Sequence, residues 1–191
     1  MTFLYPPYKG FRLYDITQKF GVNPNTNQPH GHTGVDFCPP NAYGKILVAP
    51  EQVKIVKVVS ETVFGGNFYD DLQKGFGLTM RSLANPNITY TYWHTMEIIP
   101  VKEGQFCEQG EMVAQIGNSG YCFTGGVYVP LADRNSGKGS HLHYERRDST
   151  KNPGYTDVTP FLDYTVDIKL SWGQSASQVV QQISNMLANR K

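Results

Sequence analysis

The stretch GSHLHYERR, residues 139–147, places two histidines two positions apart, at His141 and His143. On an α-helix, side chains at i and i+2 point about 200° apart, whereas on a β-strand they project from the same face. Tyr144 suits a strand, and Leu142 would then face the core. The stretch therefore predicts a strand that carries two imidazoles on one face, with a pair of ordinary surface histidines as the simpler alternative.

A second motif, HTGVD, joins His32 to Asp36. A spacing of four also fits one face of a helix, but Gly34, its β-branched neighbours and Pro39-Pro40 disfavour a helix. On a strand the even separation places both groups on one face. With one imidazole of the first stretch they would form a His, carboxylate, His set with one open position, which is typical of catalytic zinc sites. Because the set contains no thiolate, it favours Zn²⁺ over an iron–sulfur cluster or Cu(I).

A third motif, TYTYWH, occupies residues 89–94 and ends at His94. A single histidine after an aromatic strand is more often structural than catalytic. Because two other histidine-bearing strands are predicted, His94 becomes a candidate for the same site.

The composition limits the possible partners. The chain has 191 residues, about the size of one ordinary domain. Its 17 basic and 16 acidic residues nearly balance, so charge gives no reason to expect binding to nucleic acid or an anionic membrane. No apolar run approaches the length of a membrane span.

Cys38, Cys107 and Cys122 are irregularly spaced, and we expect free, partly buried thiols, with Cys107–Cys122 the one pair worth considering.

Short apolar or alternating runs, separated by Gly and Pro, predict a mostly β fold built as a single antiparallel sheet or sandwich domain. The runs at 46–49 and 53–59 are expected to pair, and those at 77–81 and 88–94 to form a hairpin. Further strands are expected at 33–37, 112–116 and 141–145.

The C-terminus alone shows a helical pattern. From Ser177, apolar residues recur at helical spacing, at Val179, Val180, Ile183, Met186 and Leu187. We therefore divide the chain into a domain at 1–163 and an extension at 164–191 that carries one amphipathic α-helix.

Taken in order, HTGVD, TYTYWH and HLHYE resemble the motifs of the lysostaphin-type zinc endopeptidases, which cut peptidoglycan cross-links. The flanking segments ITQKFG, GKILVAP and VKEGQFCEQGEMVAQIGNSG match as well, so the resemblance covers about residues 15–147. It implies that His32, Asp36 and His143 bind zinc, and that His94 and His141 are catalytic histidines outside the ligand set. Strand spacing alone does not separate His141 from His143.

His30 matches no family position, and we interpret it as a loop histidine near the site. Three features depart from the family, and one of them is that residues 164–191 lie outside the resemblance. Many members carry a tyrosine shortly before the first histidine, but NTNQP at 25–29 has none, so its role is lost or taken by Tyr90, Tyr92 or a tyrosine of 121–140. The segment 121–140 is also longer than the usual connection, and we expect it to form one wall of the substrate groove.

The resemblance implies a zinc-dependent endopeptidase that hydrolyses bacterial peptidoglycan peptides in a groove across the sheet. Zinc-bound water would be the nucleophile, and His94 and His141 would act as general base and acid and steady the oxyanion. The alternatives are a catalytically silent wall-binding or virion module that retains the zinc site, a zinc amidase, and a Cys–His hydrolase using Cys38. We otherwise expect Cys38 to be a small buried residue.

The expected partner is the peptide of bacterial peptidoglycan, outside the cell or in the periplasm. The N-terminal sequence MTFLYPPYKGF lacks the features of a secretory signal. Either a signal has been removed, or the protein is phage-encoded and is released at lysis or carried on the virion. The C-terminal helix is expected to pack on the domain or to mediate self-association rather than to bind a membrane.

Overall fold

A computed structural model describes residues 3–23, 31–59, 75–133 and 136–166. One-turn 3₁₀ helices lie at Leu13–Asp15, Leu131–Asp133 and Thr159–Phe161. The strands in these ranges are β1 (Ile16–Gln18), β2 (Val35–Phe37), β3 (Ile46–Val48), β4 (Val53–Val59), β5 (Gly77–Ser82), β6 (Ile88–Trp93), β7 (Phe106–Cys107), β8 (Met112–Gln115), β9 (Phe123–Thr124), β10 (Val127–Tyr128), β11 (Leu142–Asp148) and β12 (Tyr155–Thr156).

The main sheet has eight strands in the order β1-β2-β11-β6-β5-β4-β7, with β12 added beside β11. Every pairing within it is antiparallel. The hairpin predicted around residues 83–87 is present as β5 and β6. The prediction of a mostly β, antiparallel fold is therefore confirmed.

A two-stranded ribbon of β3 and β8 forms a second layer over one face of the sheet. The Tyr92 hydroxyl on β6 donates a hydrogen bond to the Val48 carbonyl on β3, 2.9 Å away, and ties the layers together. The predicted pairing of 46–49 with 53–59 is wrong. In β3 consecutive residues are buried, as suits a strand inside a second layer, whereas β4 alternates like a strand of the main sheet.

Strand β11 lies inside the sheet and serves two purposes, because its side chains alternate between the faces. Leu142 and Tyr144 are fully buried and join the hydrophobic core with Phe37 and Tyr92. His143 and Glu145 project from the opposite face. Leu142 thus faces the core, as predicted, and the face away from the ribbon is left for polar groups.

The two ends of the described chain meet. Leu4 forms a bridge with Leu162, and the Leu4 amide donates to the Phe161 carbonyl over 2.8 Å. The predicted division after residue 163 stays a prediction. The predicted helix over 177–187 lies outside the described residues, as does His30. In the described ranges no helix is long and apolar enough to cross a membrane.

All three cysteines are free, as predicted. Cys107 and Cys122 are buried, but Cys38 is exposed, so the expectation that it is buried is wrong. The alternation that buries Phe37 in the core turns Cys38 outward, where its thiol donates to the Ser140 carbonyl over 3.3 Å.

Replacing Leu142 by alanine tests the alternation of β11. Because the side chain is fully buried, Leu142→Ala should leave a cavity and lower the free energy of unfolding by about 2–5 kcal/mol. Arg147→Ala, at an exposed position of the same strand, is the matched control and should cost less than about 1 kcal/mol. Denaturant unfolding of both variants gives the comparison, and equal costs would contradict the core position of Leu142.

Candidate metal centre

The register of three neighbouring strands builds the site. His143 on β11 lies directly opposite Asp36 on β2 and Trp93 on β6. Side chains of residues paired across an antiparallel sheet share a face, so these three side chains stand in one row. His32 enters from the segment before β2, and His94 follows directly after β6. The three sequence motifs therefore meet on the face opposite the core.

Three ligand-type atoms converge at the centre of this row. The His143 Nδ1 atom lies 2.8 Å from Asp36 Oδ1 and 2.9 Å from His32 Nε2. His32 Nε2 lies 3.2 Å from the same carboxylate oxygen. Among the described residues, His32, Asp36 and His143 form the one cluster of His, Cys, Asp or Glu side chains that could hold a metal ion.

In His32 and His143, the hydrogen-bond partner of the ring nitrogen that points away from the centre determines which nitrogen carries the proton. The His32 Nδ1 atom lies 3.1 Å from the Lys19 carbonyl, which can only accept, so Nδ1 carries the proton and Nε2 presents a lone pair. The His143 Nε2 atom lies 3.1 Å from Glu145 Oε1, which assigns its proton to Nε2 and directs the Nδ1 lone pair at Asp36. In these tautomers three lone pairs face one another, so a positive charge, either a metal ion or an added proton on His143, must lie between them.

The donor set fits Zn²⁺. With bonds of ~2.1 Å, the ligand atoms of a tetrahedral zinc site lie ~3.4 Å apart. The separations of 2.8 to 3.2 Å between the three atoms are close to this value. One carboxylate and two imidazoles leave a fourth position for water or substrate, as in catalytic sites.

Two carboxylates favour positive charge at His143. Burial lowers the pKa of His143, but hydrogen bonds to Asp36 and Glu145, together with their charges, raise it to about 9. Burial also raises the pKa of Asp36, yet the hydrogen bond from protonated His143 and the positive charge of that ring hold it well below its usual range. Without a metal ion, a proton on His143 supplies the missing positive charge.

Glu145 is the buried support of this centre and is only 3% exposed. Its Oε1 accepts from the Thr33 hydroxyl at 2.8 Å, and its Oε2 accepts from Trp93 Nε1 at 3.3 Å. Such a carboxylate fixes the ring orientation of a metal-binding histidine. The sequence reasoning assigned Glu145 no role, although its even spacing from His143 on a strand places both side chains on one face.

Position 34 requires a glycine because strand β11 approaches it closely. A Cβ atom added there would lie 2.6 Å from the Tyr144 carbonyl and 2.9 Å from His143 Nε2. Any side chain would therefore displace either the β11 backbone or the imidazole. The glycine of HTGVD thus allows the segment between His32 and Asp36 to pack against β11.

His94 and His141 lie beside the three converging atoms, with ring centroids 4.6 Å apart. The Nδ1 of His94 donates to the Ser119 carbonyl at 2.8 Å, and that of His141 to the Gly139 carbonyl at 2.9 Å. In each ring Nε2 is then left as the atom that can exchange a proton. Burial, followed by the neighbouring charges of His141 and His143, lowers the pKa of His94 well below its usual range.

The backbone at His94 is also unusual. Its φ is 61°, in the left-handed region that non-glycine residues rarely occupy. The Gly117 amide donates to the His94 carbonyl at 2.9 Å and helps to hold this conformation. Such a conformation costs about 1–3 kcal/mol and persists only where the surrounding structure holds it in place. Residues in such conformations cluster at functional sites.

Two of the candidate tyrosines are directed away from the site. Tyr92 bonds to Val48 in the core, and the Tyr90 hydroxyl donates to Glu51 on the same buried face. Neither can assist an oxyanion on the opposite face, so that part of the expectation is wrong. The other sequence-predicted site residues, namely His32, Asp36, His94, His141 and His143, are brought together.

Cys38 is a poor candidate for a nucleophile. Desolvation and the nearby carboxylates of Asp15 and Asp36 raise the pKa of its thiol. A raised pKa disfavours the thiolate that nucleophilic attack requires. This disfavours the alternative of a Cys–His hydrolase.

The chain belongs to peptidase family M23, whose model matches residues 30–154. The predicted resemblance to lysostaphin-type enzymes is thereby confirmed. The solved structure of LytU is 25% identical with a TM-score of 0.56, and the alignment covers 80% of this chain and 86% of LytU. No curated protein matches the sequence.

Two further similar structures are peptidases. A zinc-containing peptidase from Vibrio cholerae is 24% identical with a TM-score of 0.56, over 83% of this chain and 39% of that one. The antimicrobial peptidase lysostaphin from Staphylococcus simulans is 20% identical with a TM-score of 0.54, over 83% and 55%. This chain thus spans well under two thirds of both, and the likeness to them shows the fold.

Metal binding should release a proton from His143. Because its pKa in the metal-free protein is about 9, His143 is protonated at pH 7, and a metal ion must displace that proton. Zinc affinity should therefore rise about tenfold per pH unit between pH 6 and 8 and level off above the pKa. Calorimetric titration in buffers of different ionisation enthalpy counts the protons; none released at pH 7 would contradict a protonated His143.

Removing the Glu145 carboxylate should weaken zinc binding without removing a ligand. Glu145→Ala leaves His143 Nε2 without its carboxylate acceptor, and we expect about 10–100-fold lower zinc affinity. Glu145→Gln keeps an acceptor oxygen and should lose less. Glu108→Ala removes an exposed carboxylate and is the control. Competition titration with a chelating dye measures all three, and wild-type affinity in Glu145→Ala would rule out this role.

Proposed function

We propose that this chain is a zinc-dependent endopeptidase that hydrolyses peptide bonds in the cross-links of bacterial peptidoglycan. The observation that carries the proposal is the convergence of His32, Asp36 and His143, whose ligand atoms lie within 3.2 Å of one another. Membership of peptidase family M23 supports peptidase chemistry. The resemblance of the three motifs to lysostaphin-type enzymes supports peptidoglycan as the substrate.

Under this proposal His32, Asp36 and His143 are the zinc ligands. Bound zinc supplies a Lewis acid that polarises the scissile carbonyl and lowers the pKa of water. The hydrogen bonds from His32 to the Lys19 carbonyl and from His143 to Glu145 keep both rings in the tautomer that binds a metal.

His94 and His141 carry the proton transfers. His94 is neutral at pH 7 because its pKa is lowered, so its Nε2 can take a proton from the attacking water. The Nε2 of His141 lies 4.0 Å from Asp36 Oδ2, beside the ligand carboxylate, and in the protonated form of the ring it can donate its proton to the leaving amine or a hydrogen bond to the oxyanion. Both rings keep their orientation because their Nδ1 protons are bound to backbone carbonyls.

The segment 121–140 borders this site at both ends, and we propose it as one wall of the substrate groove across the sheet. Its β9–β10 hairpin carries the exposed side chains of Phe123 and Val127. The rings of Tyr121 and Tyr128 pack at a centroid distance of 5.1 Å. One of these tyrosines is the remaining candidate for the role of the missing family tyrosine.

We place the action of the enzyme at the bacterial cell wall, with the peptide of peptidoglycan as its partner. Phage lysis or virion attachment, and self-association through the C-terminal extension, belong to the same proposal. A silent wall-binding or virion module that retains the metal site is the alternative. It would bind peptidoglycan without releasing new amino groups, whereas an amidase would free the lactyl group.

The roles of the histidines separate in a set of variants. His94→Ala and His141→Ala should retain about one zinc per chain but lose ~10²–10⁴-fold in activity, as when a general acid or base is removed. Alanine at His32, Asp36 or His143 should abolish zinc binding as well as activity. His30→Ala is the matched control, since no motif assigns it a role, and it should lose little.

The activity is measured on purified peptidoglycans with glycine bridges and with direct diaminopimelate links. Mass spectrometry of the released fragments identifies the bond that is cut, and elemental analysis gives the zinc content. If His141→Ala lost its metal, the assignment of His143 rather than His141 as the ligand would be wrong. If no peptidoglycan yielded new amino groups, the endopeptidase proposal would fail and the silent module would be favoured.

A further inference from the structure

The two non-ligand histidines depend on the two ends of one segment. The Ser119 carbonyl, which holds His94, lies just before 121–140, and the Gly139 carbonyl, which holds His141, lies at its end. The conformation at the base of the segment therefore determines where both carbonyls stand. A residue that fixes this base would also fix both rings.

Asn118 closes the base of the segment. Its side-chain amide Nδ2 donates to the Lys138 carbonyl at 2.9 Å and to the Asp133 carbonyl at 3.1 Å. The residue is only 2% exposed. Asn118 directly precedes Ser119, and Lys138 directly precedes Gly139. The Asn118 side chain thus links the residue before Ser119 to the residue before Gly139, the two residues whose carbonyls hold the histidines.

We propose that Asn118 is a positioning residue for His94 and His141, acting through the carbonyls of Ser119 and Gly139. The catalytic importance of this role rests on the proposed endopeptidase function, whereas the orientation of the two rings does not. Asn118 sets the separation of the two acceptor carbonyls by tying the end of the segment to its start.

The amide is suited to this task because it offers two protons to two carbonyl acceptors. An isosteric carboxylate would face the same two carbonyls with acceptors only, and both bonds would be lost. We call the two hydrogen bonds donated by the Asn118 amide the clamp. Because Gly139 is tightly packed, the position of its carbonyl depends on the clamp. A Cβ atom there would lie 2.7 Å from Val129 Cγ2, so the chain has little room to adjust.

The Ser119 carbonyl has a second donor from the same segment. The buried Cys122 thiol donates to it at 3.2 Å, and the Val129 amide donates to the Cys122 carbonyl at 2.9 Å. The start of the segment is therefore fixed locally, whereas its end is connected to the start through Asn118. We expect that loss of the amide displaces Gly139, and with it His141, more than it displaces His94.

The test compares Asn118→Asp and Asn118→Ala with the wild type in the zinc-loaded full chain. Asn87→Asp, at an exposed position in the turn before β6, is the matched control for the added charge. Long-range ¹H–¹⁵N spectra of histidine-labelled protein report which ring nitrogen carries the proton. Zinc content, thermal unfolding and amine release from the two purified peptidoglycans are measured on the same samples.

In the wild type, His94 and His141 should both carry the proton on Nδ1. In Asn118→Asp the His141 signal should shift to a mixture of tautomers, and kcat should fall ~10–100-fold with KM changed less than about threefold and zinc retained. Asn118→Ala should show a smaller change in the same direction. Asn87→Asp should match the wild type in every measurement.

Three other outcomes would either overturn the positioning role of Asn118 or separate it from the proposed endopeptidase function. Unchanged tautomers in both variants, with or without loss of activity, would overturn the positioning role. A wild-type His141 protonated on Nε2 would overturn it even if neither variant folded. If the wild type proved inactive but Asn118→Asp still shifted the His141 tautomer, the clamp would stand and the proposed endopeptidase function would fall.

Discussion

The register of β11 between β2 and β6 is the constraint on which the site depends. Because side chains alternate strictly along a strand, a slip of one residue would turn His143 into the core and Leu142 toward the polar face. Burial of Leu142 and Tyr144 against the β3–β8 ribbon selects the observed register. The apolar face of β11 thereby specifies where the three ligand-type atoms lie, so the packing of the core determines the geometry of the candidate metal centre.

Electrostatics adds a second constraint to the same strand. Asp36 and Glu145 are both buried, and carboxylates removed from water cost free energy unless positive charge opposes them. His143 lies between them and can hold either a proton or a metal ion, but its Nδ1 cannot hold both. Metal binding, proton binding and folding are consequently linked through one side chain, and the metal-free protein has its own stable arrangement of charge.

Much of this site could be predicted from the sequence, because side-chain parity on strands is a local property. Strand parity predicts that His32 shares a face with Asp36, and His141 with His143, and all four side chains do reach one site, although His32 and His141 lie just before β2 and β11 rather than on them. Parity cannot separate His141 from His143, since both face the same way; pairing with Asp36 makes that distinction. The partner of β3 and the inward direction of Tyr90 and Tyr92 were missed because both depend on a second layer. Carbonyl acceptors such as those of Ser119 and Gly139 leave no side-chain signal.

The β9–β10 hairpin turns at Gly125 and Gly126, both with positive φ and both open to solvent. The two ends of the surrounding segment are held next to the histidines, whereas a Cβ atom added at either tip glycine would meet no atom of the described residues within 4 Å. Residues could therefore be inserted or exchanged at the tip over evolutionary time without moving the reacting groups. The fold thus separates a part whose geometry has to be kept from a part whose sequence and length can vary.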